Sequence, residues 1–70
     1  MMPLTFADIN EDSVIKKVGG SQEIKHHLEN LGFVPGSSIY VVSKTNGNII
    51  VKVKNSRVAI SEELAKKIMI

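Results

Sequence analysis

Two adjacent histidines, His26 and His27, are the side chains of this sequence best suited to bind a transition metal. Imidazole is the commonest protein ligand for such ions, so the pair suggests a metal site. If the segment is helical, however, neighbouring side chains point about 100° apart, and the two rings cannot converge on one ion. Glu23 and His27 are four residues apart and would share a helix face. Their spacing predicts no more than a weak transition-metal site, completed by a ligand from elsewhere in the chain or from another molecule.

The other interpretation of the histidines is purely structural. His26 would then be solvated, and His27 would cover the edge of the core with its polar tip outward. Of the two interpretations, the structural one is favoured over the metal site.

No catalytic motif is recognisable among the remaining polar residues. The chain has no cysteine, which excludes thiolate chemistry, and its serines lie outside any GxSxG context. Gly19-Gly20 before a helix resembles a phosphate-binding turn, but the lysine and hydroxyl of GxxxxGK[ST] are missing. The sequence therefore predicts a binding protein, not an enzyme.

Charge is unevenly distributed along the chain. Nine Lys and Arg against seven Asp and Glu give a net charge of +2, yet residues 30–61 contain no acid. This stretch carries Lys44, Lys52, Lys54 and Arg57. Lysines on exposed strands often serve only to discourage edge pairing, so a solvated face is one interpretation. A binding surface for an acidic partner is the other.

Seventy residues form one domain, 1–70, with a compact core and no room for a large enclosed active site. No stretch approaches the roughly 18 apolar residues that span a bilayer, and no basic region precedes an apolar run at the start. We expect a soluble, cytoplasmic protein without direct membrane insertion, and the oligomeric state is left open.

Short strands with period-two alternation dominate the second half of the sequence. Ile49, Val51 and Val53 alternate with more polar neighbours, the clearest strand pattern. Asn46-Gly47 predicts a tight hairpin turn before this strand, and residues 54–57 predict a second turn after it. Residues 13–18 read as a further strand. The pattern predicts a three-stranded meander completed by a strand from each end of the chain, giving a five-stranded, partly open barrel.

One helix is predicted within SQEIKHHLENL. Ser21 is a good N-cap, and Gly32 follows the segment where a left-handed C-cap is required. Ile24, Leu28 and Leu31 form one apolar stripe, which should face the sheet.

The stretch LGFVPG connects this helix to the meander. Pro35 favours an extended residue before it, and Pro35-Gly36 turns the chain. A double glycine, a short amphipathic helix, LGFVPG, a strand, an Asn-Gly turn and a final VAISEELAKKIMI together resemble the FeoA family of small SH3-like barrels. The resemblance covers nearly the whole chain. Its structural motif comprises Gly19, Gly20, Leu31, Gly32, Pro35 and Gly36.

This resemblance implies a mainly β fold with one short helix, arranged as a small, partly open SH3-like β-barrel. It also implies a cytoplasmic accessory role in bacterial ferrous-iron transport, exerted by binding FeoB, a membrane transporter with a GTP-binding domain. For the weak metal site at Glu23 and His27 it implies Fe(II) or another transition metal. The helix departs from the family, whose members often have a more arginine-rich stretch where this chain has Lys25, His26 and His27.

Two exposed surfaces are predicted to contact the partner. They consist of Lys25, His26 and Glu29 on the helix and Lys52, Lys54 and Arg57 on the second hairpin. A nucleic-acid-binding module is an alternative, supported by the acid-free stretch. It is weakened because only Phe6, Phe33 and Tyr40 could stack on bases, and none lies in a basic and aromatic cluster. A third alternative is a metal-sensing regulatory module, as in metal-dependent repressors.

Overall fold

The computed structural model describes all residues, 1–70, and contains six strands, two α-helices and one 3-10 turn. The strands are β1 (Asp12–Val14), β2 (Lys17–Val18), β3 (Ser38–Thr45), β4 (Asn48–Val53), β5 (Ser56–Ser61) and β6 (Ile68–Met69). The helices are α1 (Gln22–Asn30) and α2 (Glu62–Ala65), and the 3-10 turn is Leu4–Phe6. None of the helices has the length and apolar character needed to cross a lipid bilayer. The prediction of a mainly β fold with one main helix is confirmed.

The strands form two antiparallel sheets. One has four strands in the order β1-β3-β4-β5, and the other pairs β2 with β6. No continuous ladder joins the two sheets, so the barrel is open. The predicted count of five strands was wrong, because residues 13–18 form parts of two strands in different sheets.

Ile15 is the residue at which the chain changes sheets. Its N–H donates to the carbonyl of Ser37 (2.9 Å), and its own carbonyl accepts from Gly36 N–H (2.7 Å). The next residue, Lys16, already donates to Met69 in the second sheet (2.7 Å). Ile15 itself is buried. The backbone partner therefore changes within one residue, which breaks the strand without breaking the hydrogen bonding.

The core contains fifteen buried residues, all of them apolar. Strand β4 shows the predicted alternation, with Ile49, Val51 and Val53 inward. Helix α1 covers one side of this core through the predicted stripe, in which Leu28 is fully buried and Ile24 and Leu31 are half-buried.

Helix α1 begins and ends at the predicted residues. The Ser21 hydroxyl accepts from Ile24 N–H (3.3 Å). At the other end Gly32 has φ +104° and donates to Glu29, while Phe33 donates to Leu28, both at 2.9 Å. This is the Schellman arrangement, and it brings the apolar side chains of Leu28 and Phe33 together in the core.

The backbone conformations of the two hairpin turns differ from what their sequences suggest. In Asn46-Gly47 only the glycine has a positive φ (+90°), whereas Lys54 and Asn55 both do, at 49° and 64°. Two consecutive positive values define the type I′ turn. The turn with the weaker sequence signal thus has the conformation that disfavours side-chain-bearing residues.

Both ends of the chain lie side by side. Met2 and Ile70 exchange backbone hydrogen bonds of 3.0 and 2.8 Å, and Pro3 forms a bridge with Met69. The first residues therefore extend the small β2-β6 sheet by one short element.

Candidate functional site

A row of four polar and aromatic residues crosses the outer face of the four-stranded sheet. Asp12 on β1 pairs with Tyr40 on β3, and Tyr40 pairs with Lys52 on β4. Lys52 in turn pairs with Arg57 on β5. Residues opposite one another in adjacent strands project to the same face. The four side chains therefore stand in line, with an acid at one end and two cations at the other.

This row forms the floor of an open groove of about 600 Å³, which we call the sheet groove. Its lining is mostly polar, because these residues occupy the outward positions of their strands. The lining residues are Asn10, Asp12, Ser38, Ile39, Tyr40, Val42, Lys52, Lys54, Asn55 and Arg57. The structure thus brings together the three predicted hairpin cations.

Three cations share one end of the sheet groove. Lys52 and Arg57 are direct cross-strand partners, and Lys54 lies in the turn that follows β4. All three are exposed. Like charges directly opposite one another destabilise a sheet, so this pair lowers the stability of the unliganded protein. An anion placed between the cations would remove that repulsion.

Away from the cations, Asn10 contacts β3 through two hydrogen bonds. Its side-chain oxygen accepts from the Tyr40 hydroxyl (2.9 Å), and its N–H donates to the carbonyl of Val41 (2.8 Å). The φ of Asn10 is 63°. These two bonds fix the tyrosine ring in the middle of the row, between Asp12 and Lys52.

A β-bulge widens the sheet beside the tyrosine. The register of β3 against β4 shifts between Val41 and Ser43, leaving Val42 without a direct partner. Bulges reorient side chains and increase local twist. Val42 is half-buried and lines the sheet groove, where it provides the apolar contact next to Tyr40.

The predicted helix residues lie apart from the sheet groove. His26 and Glu29 are exposed and Lys25 is half-buried, and none of them lines it. We call Lys25, His26 and Glu29 the helix surface, and it is separate from the sheet groove. Gly32, which follows α1, lies beside Lys54, since a Cβ on Gly32 would be 3.6 Å from Cδ of Lys54.

The possible metal ligands Glu23 and His27 are both exposed on α1. No group of three or more His, Cys, Asp or Glu side chains is arranged to hold a metal ion. The structure supplies no third ligand to this pair from within the chain.

One part of the aromatic prediction was wrong. Tyr40 was expected to lie outside any basic and aromatic cluster, yet it is the cross-strand partner of Lys52. The sequence hides this because twelve residues separate the two. The other two aromatics lie outside the sheet groove: Phe33 is fully buried and Phe6 is 69% exposed.

Sequence reasoning also missed Asn10, Asp12 and Asn55. Asparagine is enriched at positive φ, so Asn10 and Asn55 carried a weak signal for turns. No signal in the sequence connects Asp12 with residues of β4 and β5, because the connection is made only by sheet pairing.

Comparison with known proteins places this geometry in a family. The FeoA domain model matches residues 2–70. The "Putative Fe(2+) transport protein A" of Methanocaldococcus jannaschii is 36% identical over 70 residues, which cover all of this chain and 85% of that protein.

Solved structures agree with the family match. A crystal structure of an iron uptake regulatory protein (FeoA) has a TM-score of 0.90 and 26% identity, covering 97% of this chain and 92% of its own. The FeoA of Stenotrophomonas maltophilia, crystallised with zinc and described as a prokaryotic SH3 domain protein, has a TM-score of 0.85 and 25% identity. That match covers 99% of this chain and 88% of the other. The SH3-like fold expected from LGFVPG and its neighbours is confirmed, and the chain belongs to the FeoA family.

Proposed function

We propose that this protein is a cytoplasmic accessory protein of ferrous-iron transport that binds a FeoB-like membrane transporter. Its family and the name of its Methanocaldococcus relative support a role in Fe(2+) transport. In this proposal the iron is the cargo of the transporter, and the small protein acts on the transporter by binding it.

The observation that carries the proposal is the sheet groove. Its three cations lie on or beside the four-stranded sheet and are exposed to water, which suits electrostatic attraction of an acidic protein surface. An open groove also leaves any reacting group in solvent, whereas catalytic sites depend on excluding water. The geometry therefore fits recognition better than catalysis.

The GTP-binding domain of the transporter is the proposed partner, and the helix surface is the proposed second contact. In this proposal one partner covers both surfaces. A standard protein interface buries about 800 Å² per partner, a little under a fifth of the 4355 Å² surface of this chain.

Isothermal titration with the purified cytoplasmic domain of the transporter tests the proposal. We expect binding that weakens as salt increases, with chemical-shift changes confined to the sheet groove and the helix surface. The variant carrying Lys25→Gln, His26→Gln and Glu29→Gln measures the share of the helix. Retention on single-stranded nucleic acid without binding to the transporter domain would contradict the proposal and favour the nucleic-acid alternative.

A further inference from the structure

Residues other than glycine adopt the left-handed backbone conformation only at the sheet groove. Three such residues have a positive φ, namely Asn10, Lys54 and Asn55. All three line the sheet groove. Asparagine tolerates this conformation, but it is unfavourable for Lys54, and strained residues cluster at ligand-binding sites. The backbone is therefore strained at Lys54, one of the three cations.

Charge repulsion also lowers stability at the sheet groove. Lys52 and Arg57 oppose each other directly across β4 and β5 and repel one another. Two independent features, the left-handed conformation of Lys54 and the paired like charges, thus lower stability at one place. A ligand that supplies negative charge between the cations would remove the repulsion between them.

The shape of the sheet groove limits what that ligand can be. Four strands about 4.8 Å apart give the row a length of roughly 14 Å, which matches about four residues of an extended chain. Cations occupy one end, Tyr40 and Val42 provide an apolar centre, and Asp12 occupies the other end.

We infer that the sheet groove binds an extended acidic peptide segment, with its carboxylates on Lys52, Lys54 and Arg57. An apolar side chain of the segment packs against Tyr40 and Val42, and Asp12 accepts hydrogen bonds from its backbone N–H groups. Nucleic acid fits less well, because a phosphate on every nucleotide would bring negative charge close to Asp12. This inference rests on the proposed function only in placing the segment on the transporter.

Two synthetic peptides and one oligonucleotide serve as probes. Acetyl-Glu-Thr-Glu-Thr-Val-amide places two carboxylates and one apolar side chain on the same face of an extended chain, and its counterpart has Gln in place of both Glu. Chemical shifts of the backbone amides are followed during each titration. We expect the acidic peptide to shift the amides of Tyr40, Lys52 and Arg57, and to bind about tenfold more tightly than the Gln peptide. Equal binding of both peptides, or tighter binding of oligo(dT) than of the acidic peptide, would overturn the inference.

A matched pair of variants distinguishes binding at the sheet groove from attraction by the net charge of the protein. Lys52→Gln with Arg57→Gln and Lys66→Gln with Lys67→Gln each lower the net charge from +2 to 0. The second pair is exposed beside β6, outside the sheet groove. The groove variant should lose most binding of the acidic peptide with an unchanged or higher melting temperature, whereas the control variant keeps it. Equal loss in both variants would show attraction by net charge alone and would overturn the inference.

The same variants distinguish this inference from the proposed function. If the transporter domain binds the wild-type protein and the groove variant equally well, the inference fails while the proposed function stands. If the acidic peptide binds in the sheet groove but the transporter domain does not bind at all, the proposed function fails while the inference stands.

Discussion

The LGFVPG segment contains positive φ angles, and so does the rim of the sheet groove, by which we mean Asn10, Lys54 and Asn55. The two regions differ in the residue types that adopt these angles. In LGFVPG the angles occur at Gly32 (+104°) and Gly36 (+90°). At the rim they occur at residues that carry side chains, among them Lys54 and Asn55. Glycine adopts these angles without a steric penalty, whereas other residues do not.

In LGFVPG the residue types suit the backbone conformation, whereas at the rim they lower stability. LGFVPG follows the local rules throughout: a Schellman end, then a turn in which Ser37 N–H donates to Val34 (3.1 Å) with Pro35 and Gly36 between them. The rim departs from the same rules at Lys54-Asn55 and adds the repulsion of Lys52 and Arg57. Substitutions in the two regions should therefore change stability in opposite directions.

The largest effect is expected for Gly32→Val. A β-branched residue at φ +104° should lower the free energy of unfolding by about 2 kcal/mol. The cause is backbone strain, since the added Cβ itself would make only ordinary contacts, the nearest with Cδ of Lys54 at 3.6 Å. Urea denaturation measures the loss. An unchanged midpoint would mean that Gly32 does not need its left-handed conformation.

A smaller loss, about 1 kcal/mol, is expected for Gly36→Ala. No atom lies within 4 Å of an added Cβ there, so the φ of +90° is the only cause. Gly19→Ala is the matched control, because Gly19 has no positive φ and its Cβ would make an ordinary 3.6 Å contact with the Lys67 carbonyl. Equal losses in thermal unfolding would remove backbone strain as the explanation.

At the rim, substitution should raise the free energy of unfolding instead of lowering it. Replacing Lys54 by Asn and Asn55 by Gly installs the preferred type I′ pair, and we expect a gain of about 0.5–1 kcal/mol in the free energy of unfolding. The same variant removes one cation, so its affinity for the acidic peptide should fall. A variant that is less stable than the wild type would show that the Lys54-Asn55 turn is not strained.

The smallest change in stability is expected when the three hairpin cations are replaced together. Lys52→Gln, Lys54→Gln and Arg57→Gln are exposed substitutions and should alter stability by no more than about 0.5 kcal/mol. Binding to the transporter domain should nevertheless weaken, most strongly at low salt. If affinity and iron uptake both persist unchanged, these cations form only a solvated face, and the helix surface binds the partner.

Features set by local chemistry were predictable from the sequence. Helix α1 with Ser21 and Gly32 at its ends, and the alternation along β4, each depend on a few neighbouring residues. Both were confirmed. The resemblance carried by LGFVPG and its surroundings supplied the fold, because that order of short motifs spans the chain.

Features set by pairing across the chain were not predictable in the same way. The break at Ile15 arises because its flanking residues bond to β3 on one side and β6 on the other. The sheet groove arises because Asp12 and Arg57 reach the same row through two intervening strands. Alternation predicts which residues of a strand face outward, but it does not predict which strands become neighbours.

The pairing of Met2 with Ile70 makes the connectivity of this fold nearly circular. A short linker from Ile70 to Met1 would join neighbouring backbone segments, and the chain could then be opened at Asn46-Gly47, an exposed turn far from the sheet groove. Such a circular permutant would keep every strand pairing while shortening the sequence separation between β2, β6 and the N-terminal residues. Because folding slows as contacting residues lie further apart in sequence, the native order of segments delays closure of the small sheet. The four-stranded sheet is built largely from adjacent hairpins, so its formation does not depend on closure of the small sheet.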